Sequence, residues 1–219
     1  MGNQVNYRYA DLNGTPLAYV EAGIGEPVIF VHGGVSDLRC WKHQIPDISR
    51  QFRVIAYSCR YAFPNDVITE DVDRQWPEHV NDLGSLLDAL NACPAHLIGN
   101  SSGALICLLF ALKHPEKVLS LVLEEPPVVS MYVSMPPRPS ELLRILFKSP
   151  KTAAGVLHFG ARIMERVRKA VVAGDDESGI RIFVKGVLGN QDFDELSHER
   201  RIQSRDNFSW LRVMLLNQE

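Results

Sequence analysis

The pentapeptide Gly99-Asn100-Ser101-Ser102-Gly103 constrains the fold of this 219-residue chain more than any other stretch. It fits the pattern Gly-x-Ser-x-Gly and lies between two apolar runs, residues 95–98 and 104–112. The first run has the length of a strand and the second that of a helix, so the pattern predicts a strand, a sharp turn and a helix. Such a turn presents the Ser101 hydroxyl at the carboxyl edge of a sheet, beside a helix N-terminus.

The surrounding sequence predicts strands that alternate with helices. Asn13-Gly14 between the first two predicted strands is a strong signal for a β-hairpin. After the hairpin, the alternation implies a mostly parallel sheet with right-handed crossovers, so the predicted fold class is α/β. The predicted strands cover residues 6–12, 17–22, 28–31, 53–57, 95–98 and 118–123, and the predicted helices cover 38–50, about 77–90 and 102–114.

The composition of the chain changes near residue 130. Five prolines lie between positions 126 and 139, and no buried parallel strand is recognisable beyond them. We therefore expect two domains, residues 1–130 and residues 131–219, of which the second is helical. Its predicted amphipathic helices cover residues 140–147, 151–172, 175–188 and 198–216.

Charge and cysteine content exclude several classes of function. The chain has 23 Lys and Arg against 26 Asp and Glu, spread along its length, so we expect no nucleic-acid partner. It has no signal peptide and no apolar run long enough to cross a membrane, so we expect a cytoplasmic protein without a membrane partner. The four cysteines are widely separated and lack histidines at ligand spacing, so we expect reduced thiols and neither a metal nor a cofactor.

A nucleophilic serine needs donors that stabilise an oxyanion, together with a base and an orienting acid. The backbone N–H of Ser102, at the start of the predicted helix, is one expected donor. Gly34 is the other, because His32-Gly33-Gly34 follows the strand at 28–31 and brings a second N–H to the same edge. The alternative interpretation of His32-Gly33-Gly34 is an ordinary turn that ends a strand.

These motifs, taken in order, resemble the α/β-hydrolase superfamily over about residues 5 to 130. The resemblance implies an α/β-hydrolase sheet with an N-terminal hairpin, and residues 131–219 are similar to the helical cap that follows the sixth strand in such enzymes. One local departure is Ser58-Cys59-Arg60-Tyr61, where many members have an Asp-x-Arg-Gly turn. The residues that carry the resemblance are Val28–Gly34, Trp41, Arg53–Tyr57, Leu97–Ala104, His114-Pro115 and Leu121–Leu123.

The rest of a catalytic triad is harder to place. The family implies two strands after the cap, leading to an Asp and to the catalytic His, and neither is recognisable before Glu219. Glu125, after the sixth strand, is the predicted acid, with a solvated strand end as the alternative. A base should follow Ser101 in the sequence, and His158 and His198 are candidates, although each is more typical of a helix surface. We therefore expect a chain that lacks part of the family fold.

Two functions follow from this sequence. The first is a serine hydrolase of esters, lactones or related small carbonyl compounds, including cleavage of C–C bonds, through an acyl-enzyme on Ser101. The second is a truncated or degenerate relative that at most binds an apolar ligand. The expected partner is a small hydrophobic ester-like substrate. Self-association through an exposed edge of the sixth strand is a further expectation, because apolar sheet edges promote pairing.

Overall fold

The structure is a computed structural model that describes residues 6–12, 14–65, 76–128, 134, 138–189, 192–209, 211 and 215. The chain divides into two compact units, residues 1–127 and residues 128–219. In the described part of the chain, no helix is both long enough and apolar enough to span a membrane.

The first unit is built on a six-stranded sheet, which confirms the predicted α/β class. The strands lie in the order β1-β2-β4-β3-β5-β6, with β1 and β2 antiparallel and β3 to β6 mutually parallel. Since β1 and β2 pair from Arg8 opposite Tyr19 to Leu12 opposite Thr15, the predicted hairpin is confirmed, although Asn13 itself is outside the described residues. The strands are β1 (Arg8–Leu12), β2 (Thr15–Ala22), β3 (Pro27–Val31), β4 (Arg53–Tyr57), β5 (Ala95–Asn100) and β6 (Val118–Glu124).

Two of the predicted helices in this unit form as expected, and one prediction is wrong. Helices α2 (Trp76–Ala89) and α3 (Ser102–Lys113) match the predicted helices. The predicted helix over 38–50 is replaced by a 3₁₀ turn at Leu38–Trp41 and a short helix α1 at Ile45–Ile48. Pro46 explains the break, because it occupies the first turn of α1, where its missing N–H costs no hydrogen bond.

Both faces of the central sheet are buried, which accounts for the continuous apolar runs in its strands. One apolar cluster joins β3, β4 and β5 to α2 and α3, and it includes Ile29, Leu97 and Phe110. The other packs against the opposite face and includes Phe30 and Trp41, whose rings lie 4.6 Å apart. The central strands are therefore held rigidly where they end beside Ser101.

Strand β6 differs from the central strands because it forms an edge of the described sheet. Its strand neighbour there is β5 alone. Three of its apolar side chains are exposed: Leu119 by 44%, Leu121 by 36% and Val122 by 54%. The expected exposed edge is thus present among the described strands.

The second unit is helical in its described residues. The predicted helix over 151–172 is interrupted by a π-helical segment, His158–Met164, between α5 and α6. In the predicted helix over 198–216, a turn at Asn207 follows the helical residues His198–Asp206, and residues 208, 209, 211 and 215 are helical again; the prediction for residues 210, 212–214 and 216 lies outside the described residues. The helices are α4 (Pro139–Lys148), α5 (Pro150–Leu157), α6 (Glu165–Val172), α7 (Asp176–Leu188) and α8 (His198–Asp206).

Candidate active site

Ser101 lies at the sharp turn between β5 and α3, as the pentapeptide predicts. Its backbone has φ 49° and ψ −119°, a combination that residues with a side chain rarely adopt. Such strain costs free energy and persists only where the surrounding structure enforces it, which is common at functional sites. The conformation is that of a strained strand-to-helix turn that exposes a serine hydroxyl.

The two glycines of the motif are required by close backbone approach at this turn. A Cβ on Gly99 would lie 2.6 Å from the backbone nitrogen of Ala104, inside the first turn of α3. A Cβ on Gly103 would lie 2.3 Å from the carbonyl oxygen of Val31 and 2.4 Å from that of His32. Because no real Cβ tolerates such contacts, only glycine lets α3 pack directly on β5 and β3.

Two hydrogen bonds to Glu124, the last residue of β6, also hold the turn in place. The backbone N–H of Ser101 donates to the carbonyl oxygen of Glu124 at 2.8 Å, and the Asn100 side-chain amide donates to the Glu124 carboxylate at 2.8 Å. No local sequence pattern predicts these two bonds to Glu124. Its position in register with Asn100 was the missing information.

The loop after β3 lies against Ser101. A Cβ on Gly33 would be 3.2 Å from the Ser101 Cβ and 2.6 Å from the Asn100 side-chain oxygen. Gly34 is the next residue of this loop, and Ser102 begins α3. Ser102 thus follows Ser101 directly in the chain, and Gly34 follows a glycine that lies against Ser101, while the role of both as oxyanion donors stays a prediction.

His32 holds this loop in place through both ring nitrogens. Its Nε2 accepts a hydrogen bond from the backbone N–H of Cys59 at 2.8 Å, so the ring proton is on Nδ1, which donates to the Gly33 carbonyl at 2.7 Å. Burial lowers the pKa of His32, which favours the neutral ring that this pattern needs. With both nitrogens engaged, His32 is a positioning residue for the Gly33-Gly34 loop.

The predicted acid and base are not joined to Ser101 within the described structure. Among the residues that it describes, no imidazole or carboxylate forms a hydrogen bond with the Ser101 hydroxyl. Glu125 is exposed just beyond β6, with φ 48°, and its role as an acid remains a prediction. His158 and His198 are exposed residues of the second unit.

An ion pair holds the loop at Ser58–Tyr61, where this sequence differs from the Asp-x-Arg-Gly turn of many family members. Arg60 donates to both carboxylate oxygens of Asp82 on α2, at 2.9 and 2.6 Å, and this pairing raises the pKa of the guanidinium. The sequence did not predict this pair. Its one signal was the position of Asp82 next to Leu83 on the buried face of α2, since a buried carboxylate needs a partner. Burial raises the pKa of the Cys59 thiol to about 12, so this cysteine beside the loop is held as a neutral thiol.

Comparison with known proteins places this arrangement in a family. A sequence model of the α/β hydrolase fold family matches residues 26–158, which is more than half of the chain. The chain therefore belongs to the α/β hydrolase fold family.

Curated proteins are also similar to part of the chain. The chain is 32% identical over 142 residues to the 2-hydroxy-6-oxo-6-phenylhexa-2,4-dienoate hydrolase of Comamonas testosteroni, covering 63% of this chain and 49% of that protein. It is 38% identical over 114 residues to the 2-hydroxymuconate semialdehyde hydrolase of Pseudomonas sp. strain CF600, covering 47% of this chain and 37% of that protein. The chain thus spans about half the length, or less, of these relatives.

Solved structures share the fold at lower sequence identity. An epoxide hydrolase from Vigna radiata superposes with a TM-score of 0.67 at 22% identity, covering 97% of this chain and 72% of that one. A hydrolase from Pseudomonas aeruginosa PA01 gives a TM-score of 0.67 at 20% identity, covering 99% and 74%. At these identities, the likeness supports the fold alone.

Proposed function

We propose that this protein is a serine hydrolase of small carbonyl compounds, with Ser101 as its nucleophile. The observation that carries the proposal is the strained backbone of Ser101, held between β5 and α3 with the Gly33-Gly34 loop against its Cβ. A serine in this setting is exposed to a substrate at the carboxyl edge of the sheet, where ligands bind in open α/β folds.

The proposed chemistry is acyl transfer. The Ser101 oxygen attacks the substrate carbonyl carbon, its proton passes to a base, and the carbonyl oxygen becomes an oxyanion that accepts hydrogen bonds from the N–H groups of Ser102 and Gly34. Collapse expels the leaving group, which takes the proton from the base, and leaves an acyl-enzyme. Water then loses a proton to the base and attacks the same carbonyl, and collapse releases the acid while the base returns that proton to the Ser101 oxygen.

The substrate class rests on the curated relatives. Their names describe hydrolases of oxo-dienoates, which carry a carbonyl group suited to attack by serine. We therefore extend the proposal to a small, largely apolar ester, lactone or ketone, the last cleaved at the C–C bond beside its carbonyl. The helical second unit is proposed to act as a cap that shapes the substrate pocket.

A second candidate is a protein of the same family that binds such a ligand without turnover. It is favoured by one observation, the lack of any described imidazole that hydrogen-bonds with the Ser101 hydroxyl. Enzymes that use a serine nucleophile normally pair it with an adjacent base, although these contacts are often longer in unliganded structures.

Steady-state hydrolysis separates the two candidates. Purified protein is assayed with p-nitrophenyl acetate and with 2-hydroxy-6-oxo-6-phenylhexa-2,4-dienoate. The hydrolase proposal expects many turnovers per protein molecule that Ser101→Ala abolishes and that Ser85→Ala, on α2, leaves unchanged. Absence of turnover in the unaltered chain, or turnover that survives Ser101→Ala, contradicts it.

A further inference from the structure

The second unit contains a cavity of about 670 Å³ that is open to solvent. Residues of the π-helical segment, α6, α7 and the 192–195 turn line it, so it is formed entirely within the helical unit. Cavities that bind small molecules in proteins have volumes of about 300 to 1,000 Å³. Its size therefore suits a small organic ligand.

One wall of the cavity is electrically balanced. Arg181 donates to both carboxylate oxygens of Asp194, at 2.6 and 2.9 Å, and Lys185 pairs with Asp192 at 2.7 Å. The remaining acid of this wall, Glu195, accepts a hydrogen bond from the backbone N–H of Asp192 at 3.2 Å. The acidic side chains around the cavity are thus already engaged by neighbouring groups.

Two further cationic side chains of the lining, Arg162 and Arg166, are exposed and are not balanced by a carboxylate among the described residues. Arg162 and Arg166 both line the cavity from successive turns of one continuous helical stretch, and His158 lies one turn before them. Within the described part of the chain, neither guanidinium has a carboxylate partner. Two guanidinium groups that face one cavity favour an anion there, because arginine donates paired hydrogen bonds to carboxylates and phosphates.

The cavity also offers apolar surface beside these cations. Ile163 and Ile182 are half-buried residues of its lining, whereas Phe193 is buried beneath the guanidinium groups of Arg181 and Arg205. The π-helical turn is itself a local departure from α-helix that frequently marks functional sites. A ligand with a charged head and an apolar body would contact both parts of this lining.

We propose that the helical unit binds a small organic oxyanion, with its carboxylate or phosphate group held by Arg162 and Arg166 and its apolar body against Ile163 and Ile182. The proposal rests on residues of the second unit alone. It follows from two guanidinium groups that have no carboxylate partner in the described part of the chain, and from two isoleucine side chains, in the lining of one cavity of ligand size.

Isothermal titration calorimetry of the full chain with phenyl phosphate, benzoate and sodium chloride, at equal ionic strength, tests the site. We expect one of the two organic anions to bind with 1:1 stoichiometry, which separates the phosphate from the carboxylate source. The double variant R162Q/R166Q should weaken its Kd at least tenfold. The matched control K151Q/R200Q, which removes two exposed charges elsewhere in the unit, should retain it.

The same titrations contain the outcomes that overturn the proposal. These are no binding of either organic anion, equal binding of chloride, an unchanged Kd in R162Q/R166Q, or an equal loss in the K151Q/R200Q control. Circular dichroism of both double variants establishes that each one is folded. Repeating the titration with Ser101→Ala, which should leave the Kd unchanged, separates this site from the proposed active site.

Discussion

Acid should destabilise the protein through a buried histidine on α2. His79 is only 5% exposed, and its Nδ1 has no hydrogen-bond partner among the described atoms. Burial, with the nearby charge of Arg60 adding to it, lowers the pKa of His79 from 6.5 to about 4, although Asp82 acts in the opposite direction. The folded protein therefore resists protonation of a ring that protonates readily once the chain unfolds.

The sign and size follow from proton linkage. Above pH 6.5, His79 is neutral in both states and has no effect on stability. As the pH falls from 6.5 to about 4, the unfolded chain binds a proton that the folded chain does not, so the free energy of unfolding decreases. A difference of about 2.5 pKa units at about 1.4 kcal/mol each lowers the free energy of unfolding by about 3.5 kcal/mol at the acid end.

Urea unfolding, followed by tryptophan fluorescence at several pH values between 7.5 and 4.5, measures this effect. His79→Gln removes the titrating ring, so its free energy of unfolding should fall less with pH than that of the unaltered protein. The exposed His198→Gln variant serves as the control for loss of a histidine. Parallel pH profiles for the unaltered protein and His79→Gln would refute the reasoning.

Three further predictions concern the turn at Ser101, the ion pair between Arg60 and Asp82, and the exposed edge of β6. Gly103→Ala should destabilise the protein by about 3 kcal/mol, because its Cβ would meet the carbonyl oxygens of Val31 and His32. Gly155→Ala, at an open site in α5, should stabilise the protein by about 0.5 to 1 kcal/mol. Thermal melts in which Gly103→Ala has a higher melting temperature than Gly155→Ala would contradict this. Asp82→Asn should lower the free energy of unfolding, measured with urea, by about 2 kcal/mol, because it removes the charge partner of the Arg60 guanidinium. Asp88→Asn, at an exposed ion pair, is the control, and an equal loss of stability in that variant would count against the prediction. Because β6 is an exposed edge strand, we expect the protein to self-associate as its concentration rises, and we expect Val122→Lys to reduce this association. Light scattering that shows a monomer at every concentration would disprove it.

Local sequence patterns predicted most of the sheet. Strand β4 has the predicted bounds, because a continuous apolar run between polar residues identifies a strand buried on both faces. The helix predicted over 38–50 failed because two local effects compete with apolar periodicity. Asp37 caps a 3₁₀ turn through the backbone N–H of Arg39, and Pro46 starts a separate helix.

The candidate site was predictable only where it is local in sequence. The turn at Ser101 depends on five consecutive residues, so the motif predicts it directly. The bonds around it are not local: Asn100 pairs with Glu124, 24 residues away, and Arg60 of the loop after β4 pairs with Asp82, 22 residues away. Such pairs depend on strand register and on helix packing, which no local pattern encodes. For the same reason, the sequence alone could not predict that Arg162 and Arg166 line one cavity without carboxylate partners among the described residues.

The central claim, that the turn makes Ser101 a nucleophile, is tested most directly by covalent labelling. The chain is incubated with a fluorophosphonate, which phosphonylates activated serines with loss of fluoride, and the product is analysed by intact and peptide mass spectrometry. We predict a single adduct on Ser101 that is lost in Ser101→Ala. An unlabelled protein, or an adduct on another residue that persists in Ser101→Ala, would contradict the claim.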